Sequence, residues 1–320
     1  MKIFVYDEFS PEDTAMMQAL YSRSSASVAE HVDQVKKTGS GKFMEKFYVG
    51  YGHASIADCG STTIFIEGVS MLVAKAIQDW PLYSGQETSS RYIDMSQQVI
   101  VDPVGTALSR TVLDSWMAFY TNNQTAVQEH LRIKYPKRAD EDEGGYDRAI
   151  KARTFDILRG FLPAGVTTQL SWHTNLRQAY DKLALLHHWP LPEVRAVANG
   201  IHNLLRERYG HSFSHKLYDD QEKYRQLIGG KHTYFINKKY PGDFRATTNI
   251  RYHDLLKYRE LLTARPARTN LPHFLAECGL CTFEFLLDFG SFRDIHRHAA
   301  RCAVHWICER WNSHPAHRTG

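Results

Sequence analysis

The sequence predicts an α+β fold in which helices dominate, on three observations. Long stretches carry apolar residues at helical spacing. One β-branched and aromatic run, Thr62-Thr63-Ile64-Phe65-Ile66, has the composition of a strand. The 320 residues are 43% hydrophobic, 23% charged and 12% aromatic, a profile with ample core that excludes a disordered tail, a collagenous chain or a small disulfide scaffold.

Ser10-Pro11-Glu12-Asp13 opens the first helix. Ser10 caps it, Pro11 suits the first helical position, and Asp13 stands three residues after the cap. Met16, Met17, Leu20 and Tyr21 supply its apolar stripe, and a second helix over about 28–37 stops at Gly39. After the strand at 62–66, Val69, Leu72, Val73 and Ile77 return to helical spacing. Pro81 ends that helix, and residues 83–92 read as an extended loop. Helices are expected over 107–120, 147–162 and 173–188, with a break at Pro163-Ala164-Gly165 and a solvated acidic, Gly-rich loop at 141–145. Pro192 and Glu193 start another helix, with Val194, Val197, Ile201, Leu204 and Leu205 on one face and Gly210 as its stop. From about 211 to 250 the pattern is mixed, with turns at Gly229-Gly230 and Pro241-Gly242.

A partial internal repeat lays Asp58-Cys59-Gly60 on Glu277-Cys278-Gly279. The same shift of 219 residues brings Thr63 to Thr282, Ile66 to Phe285 and Val73 to Phe292. Identities are few, and chance similarity is the alternative.

Thirty-nine Lys and Arg against 35 Asp and Glu leave a net charge of +4 and a pI near 8.7. This makes no continuous basic stripe, which argues against nucleic acid as a partner, while a local anion pocket stays compatible with it. The five cysteines, Cys59, Cys278, Cys281, Cys302 and Cys308, read as reduced thiols of a cytosolic protein. The opening MKIFVYDEFSPEDTAMM lacks a signal-peptide layout. The most apolar segment, 62–77, is interrupted by Glu67 and Lys75 and is too short to span a bilayer. A cytoplasmic location with no membrane partner is expected.

Two motifs fail on inspection. Gly39-Ser40-Gly41-Lys42 is not a phosphate loop, because Lys36 and Phe43 stand where that motif needs Gly and Ser or Thr. Cys278-x-x-Cys281, with His296, His298, Cys302 and Cys308 downstream, could ligate zinc. Its surroundings, Leu280 to Leu286, read instead as core, where a thiol acts as a small hydrophobe. No metal is expected.

The informative segment is Ser84-Gly85-Gln86-Glu87-Thr88-Ser89-Ser90-Arg91-Tyr92. In an extended chain Glu87, Ser89 and Arg91 share a side. They would offer a carboxylate, a hydroxyl and a forked cation to an oxyanion or polarised heterocycle. The alternative is a helical turn with Glu87 and Arg91 as a surface pair.

Upstream stands Gly52-His53-Ala54-Ser55-Ile56-Ala57-Asp58; downstream stand Arg159-Gly160-Phe161-Leu162-Pro163 and Thr174-Asn175-Leu176-Arg177. This order, over roughly residues 1–209, resembles the flavin-dependent thymidylate synthase family. That family's pattern is G-H-x-S/T-x-x-E, a strand, a helix, a S-x-N-E-x-S-x-R-Y loop, R-x-x-L-P and a helix opening N-x-R. The resemblance implies a small antiparallel sheet flanked by helices and a homotetramer with sites between subunits. It also implies methyl transfer to dUMP from methylenetetrahydrofolate, with FAD as redox carrier and NADPH as reductant, for dTMP biosynthesis. Carried over by position, Ser89 and Arg91 are the catalytic loop pair on the uracil ring, Gln86 and Glu87 lie beside the nucleotide, and Arg159 meets its phosphate or base. His53, Ser55, Asp58, Asn175, Arg177 and Asp181 fall at FAD contacts, Asp181 where an Asn is usual.

The sequence also departs from the family. The R-H-R triplet before the loop is replaced by Asp79-Trp80-Pro81, and a later Arg by Leu186; neither Trp80 nor Leu186 binds phosphate. Under the 219-residue shift Gln78 and Asp79 meet Arg297 and His298. Residues 1–250 are therefore expected to form the thymidylate synthase-like domain, and 251–320 a partial second copy or C-terminal helical extension. A non-catalytic flavin- or nucleotide-binding subunit that lost the R-H-R arginines is the alternative function, and a zinc-stabilised interaction protein a third.

Overall fold

The computed structural model describes residues 9–21, 28–91, 93–232, 244–267 and 269–296. The chain divides into two compact units: Met1–Ile236 with Phe289–Gly320, and Asn237–Asp288.

The first unit opens with α1 (Pro11–Tyr21). Ser10 Oγ accepts from the Asp13 N–H at 3.2 Å and donates to Asp13 Oδ2 at 2.8 Å, the cap its sequence expects. Helix α2 (Val28–Thr38) closes on α1 through Met16, Met17, Val32 and Val35. Helix α3 (Gly41–Phe43), a π-helical turn at Met44–Gly50 and α4 (Ala54–Ala57) then lead into β1 (Ser61–Ser70). This strand outruns the 62–66 prediction because Gly68, at φ +67°, bulges out of the ladder and lets pairing resume at Val69. Ser70 turns the chain into α5 (Met71–Gln78), its Oγ accepting from the Val73 N–H at 3.2 Å and donating to Glu193 Oε2 at 2.6 Å.

Helices α6 (Ala107–Asn122), α7 (Gln124–Lys134) and α8 (Glu143–Leu158) follow. Helix α8 begins inside the stretch expected to be a loop. Asp142 caps it, accepting from the Gly145 N–H at 2.7 Å, and this bond draws the two glycines into the first turn. A 3₁₀ turn (Arg159–Phe161) leads to β2 (Thr167–Asn175). The helix expected over 173–188 therefore starts late, as α9 (Leu176–Leu186), where Asn175 Oδ1 accepts from the Gln178 N–H at 2.8 Å. Strand β2 escapes local periodicity because its structure depends on β1. The two pair antiparallel from Ser61↔Asn175 to Ser70↔Thr167, across some hundred residues of sequence. Helix α10 (Pro192–Arg208) opens on Pro192 as expected, and α11 (Asp219–His232) follows.

The sheet's apolar face, Ile64, Ile66, Val69, Leu170 and Trp172, packs with Val73 and Ile77 of α5, Leu183 and Leu186 of α9 and Val194 and Ile201 of α10. Leu186, at 1% exposure, is thus a core residue; a charged side chain there would lack solvent.

The second unit contains β3 (Arg245–Thr248), α12 (Tyr252–Leu256), α13 (Arg259–Thr263), a 3₁₀ turn (His273–Cys278) and β4 (Cys281–Glu284). Strands β3 and β4 pair antiparallel from Arg245↔Glu284 to Thr248↔Cys281. All four residues of β4 are exposed, correcting the core reading of 280–286; a two-stranded ribbon buries little on its own. The boundary expected at residue 250 lies inside this unit, whereas α14 (Phe289–His296) belongs to the first. There Phe289 packs against a cluster built on Tyr120, Phe155 and Leu158. At the shift of 219 residues β4 and α14 fall on 62–65 and 70–77, the stretch that runs from β1 into α5. The pair Arg297 and His298 lies outside the described residues. Among the described residues no helix is long and apolar enough to cross a membrane.

Candidate functional site

The segment after Pro81 adds to the outer edge of β2 almost as a third strand. The His173 N–H donates to Ser84 O at 2.7 Å, the Ser171 N–H to Gln86 O at 2.7 Å, and the Thr88 N–H to Gln169 O at 2.9 Å. The approach is close enough that a Cβ on Gly85 would stand 2.0 Å from Ser171 O, so only glycine fits there. Tyr83 Oη donates to the same carbonyl at 2.7 Å, and burial pushes its pKa up to about 12, keeping it a donor. The extended run ends at a turn, where the Ile93 N–H donates to Ser89 O at 3.0 Å. Alternation therefore does not carry through to Arg91. Glu87 turns inward and Arg91 outward.

Glu87 sits in a buried ionic cluster. Its side chain is 3% exposed, and its carboxylate receives Arg293 Nη2 at 2.6 Å, Lys75 Nζ at 2.9 Å and Gln78 Nε2 at 3.0 Å. Lys75 Nζ also donates to Gln78 Oε1. Arg293 Nη1 reaches Ser90 Oγ at 3.0 Å and Met71 Sδ at 3.0 Å. Burial raises the cost of the Glu87 charge, but Lys75, Arg293 and their hydrogen bonds outweigh it and hold the carboxyl below its ordinary value. Glu87 is therefore a fixed anion that anchors the loop to α5 and α14.

Arg91 and Arg159 form a second, more open cluster with Asp156 and Asp294. Arg91 grips Asp156 through Nε at 3.1 Å and Nη2 at 3.1 Å, with Asp294 Oδ2 3.9 Å away. Arg159 meets Asp156 at 2.6 Å and spans Asp294 through Nη1 at 3.3 Å and Nη2 at 2.5 Å. Two residues named from the sequence are thus brought together, Arg91 with its side chain 42% exposed and Arg159 with only 12%. Ser89 lies half-buried beside them, its Oγ 3.4 Å from the Arg91 N–H, and Gln86 is exposed.

The six residues expected to meet flavin lie around α4 and the start of α9. Arg177 Nε donates to Asp58 Oδ1 at 2.7 Å, and Arg177 Nη1 stands 3.8 Å from Asp181. The bond to Asp58 raises the Arg177 pKa; burial raises that of Asp181 against the pull of Arg177. Asn175 spends its amide oxygen on the α9 cap. His53 and Ser55 are exposed at the start of α4. A flavin dinucleotide carries a pyrophosphate, which converging cations favour; the permanent cation of these six is Arg177, which lies against two carboxylates as Arg159 does.

Where the R-H-R triplet would stand, the Trp80 side chain and the Asp79 backbone carbonyl are turned to structural use. Trp80 Nε1 donates to Gln178 Oε1 at 2.8 Å, and Lys182 Nζ donates to Asp79 O at 2.7 Å. Lys182 lies between the rings of Trp80 and Trp189, 5.6 and 5.4 Å from their centroids. Burial lowers its pKa to about 8, partly offset by Asp79.

Sequence reasoning missed Lys75, Asp156, Arg293 and Asp294. Asp156 stands three residues before Arg159, a spacing that puts both on one helical face. Lys75 interrupts an otherwise apolar helix. No local signal ties α14 to the loop. Of the cysteines proposed for zinc, Cys278 is buried and Cys281 exposed, and no group of three or more His, Cys, Asp or Glu among the described residues could hold a metal ion.

Residues 5–209 match the family described as thymidylate synthase complementing protein. The chain is also 25% identical over 313 residues to a UPF0159 protein of Chlamydia muridarum (strain MoPn / Nigg), covering 80% of this chain and 59% of that relative. A UPF0159 protein of Chlamydia pneumoniae is 22% identical over 311 residues, covering 80% and 59%. One from Thermoplasma acidophilum is 22% identical over 238 residues, covering 62% and 47%. The chain thus spans between 47% and 59% of the length of these curated relatives.

Proposed function

Because the chain belongs to the thymidylate synthase complementing protein family, the flavin-dependent thymidylate synthases, we propose that it takes the pyrimidine nucleotide dUMP on the surface formed by Arg91 and Arg159. The convergence of these two guanidiniums, from the loop and from the end of α8, is the observation that carries this reading. A nucleotide offers a phosphate and an electron-poor ring, and forked cations suit both.

In the full reaction dUMP is methylated by methylenetetrahydrofolate, with NADPH as reductant and FAD as carrier, in the service of dTMP synthesis. Arg91 stabilises negative charge that builds on the pyrimidine, a contribution of a few kcal/mol in comparable sites. Ser89 hydrogen-bonds the ring rather than attacking it, Gln86 offers an exposed amide to the nucleotide, and Arg159 holds the phosphate. Glu87, committed to Lys75 and Arg293, serves the nucleotide by fixing the loop. His53, Ser55, Asp58, Asn175, Arg177 and Asp181 are the residues that would meet the flavin, and a homotetramer with shared sites is the arrangement that would bring further cations to it.

A second reading, a nucleotide-binding subunit without turnover of its own, is favoured by the structural engagement of Asp79 and Trp80 where the family keeps its cations. One experiment separates the two. Calorimetric titration with dUMP is followed by assay of dTMP formation with FAD, NADPH and methylenetetrahydrofolate. Binding with turnover supports the enzyme, binding alone supports the subunit, and no dUMP binding removes both.

A further inference from the structure

Asp294 enters the nucleotide surface from far along the chain. It lies on α14, outside the residues that match the family, yet its carboxylate lies against both guanidiniums assigned above to the nucleotide. Arg159 spends both terminal nitrogens on it, at 3.3 and 2.5 Å, and Arg91 Nη2 is 3.9 Å away. Asp156 differs in kind. It stands three residues before Arg159, next to the turn that carries that arginine, and so accompanies it in any state where α8 is intact. Asp294 is brought by a separate element.

The Nη1/Nη2 edge of Arg159 is filled by Asp294, and Nη2 also meets Asp156, so a phosphate that takes that edge must displace the Asp294 carboxylate. Two anions held in the same space also repel, and at this partly exposed position that repulsion is only incompletely screened. A phosphate and Asp294 therefore compete for Arg159. The side chain of Asp294 is 38% exposed, so it can give way to a ligand anion without a buried charge being stranded. Helix α14 has other moorings: Arg293 on Glu87 and Ser90, and Phe289 against the Tyr120 cluster. One carboxylate can thus be removed while the helix stays in place.

We propose that Asp294 is a specificity-determining residue: a tethered carboxylate in the seat that Arg91 and Arg159 offer to a nucleotide phosphate, setting how far the site favours a phosphorylated over an unphosphorylated pyrimidine nucleoside. This rests on the assignment of those two arginines to the nucleotide.

The test titrates the full chain and its Asp294→Asn variant with dUMP, deoxyuridine and inorganic phosphate at one ionic strength, with thermal melting as the check on folding. The variant should bind dUMP about tenfold tighter or more, with deoxyuridine shifted by less than about twofold. Adding Arg159→Met should abolish the gain. Unchanged or weaker dUMP binding in a folded variant, or an equal gain for both ligands, overturns the proposal. If Asp294→Asn does not fold, Asp294→Ser carries the same comparison. Should neither protein bind dUMP or deoxyuridine, the nucleotide reading fails and the phosphate titration decides the seat. A gain of about tenfold in the variant sustains it, and no gain refutes it.

Discussion

Glu87 and Arg91 lie four residues apart on one loop, and both carry full charges in ion pairs to α14, yet the two ends behave differently. At Glu87 the side chains are 0 to 5% exposed and the carboxylate meets two cations. At Arg91 the pairing is with side chains exposed by a third or more. Burial decides what each end is for. A desolvated charge cannot exchange partners cheaply, so the inner end sets where the loop lies. A half-solvated guanidinium can trade one anion for another, so the outer end is where a ligand can act.

The sharpest way to break this contrast is Glu87→Gln. It strands Lys75 and Arg293 as buried cations, and urea unfolding should show a loss of about 3–5 kcal/mol; a loss near that of a surface substitution would erase the distinction. Acid titration tests the same end. The folded Glu87 carboxyl lies below its ordinary value, so between the two values the unfolded chain binds more protons. The stabilisation is complete above the ordinary carboxylate range and is lost as pH falls through the folded value. Part of the acid limb of stability should vanish in Glu87→Gln. Gly85→Ala acts between the ends: forcing a Cβ against Ser171 O should cost about 1–3 kcal/mol, read by the same unfolding. Smallest in stability is Arg91→Met, within about 1 kcal/mol. In that variant dUMP titration should nonetheless show binding lost, and retained affinity would move the ligand elsewhere.

The legible parts of the fold were those whose cause is local. The Ser10 cap, the strand at 62–66 and Pro192 at the start of α10 all act within a turn or two of sequence. Strand β2 was misread because a Thr-rich edge is extended only once β1 is beside it, and α8 began early because one aspartate cap outweighed two glycines. At the site, the types and order of Gln86, Glu87, Ser89, Arg91 and Arg159 were readable, but their directions were not. The turn after Ser89 breaks the alternation that would have kept Glu87 and Arg91 together. The cation and the carboxylate that α14 adds, Arg293 and Asp294, stand some two hundred residues from the loop, beyond the reach of any spacing rule.

That separation has a consequence for how the protein is made. Glu87 and Arg293 are 206 positions apart. At about 5–20 residues per second, a nascent chain leaves the ribosome roughly 10–40 s between them. Throughout that interval Lys75 has already been synthesised and Arg293 has not, so the carboxylate holds only half of its eventual counter-charge. Completion of the loop thus waits on the elongation of everything between.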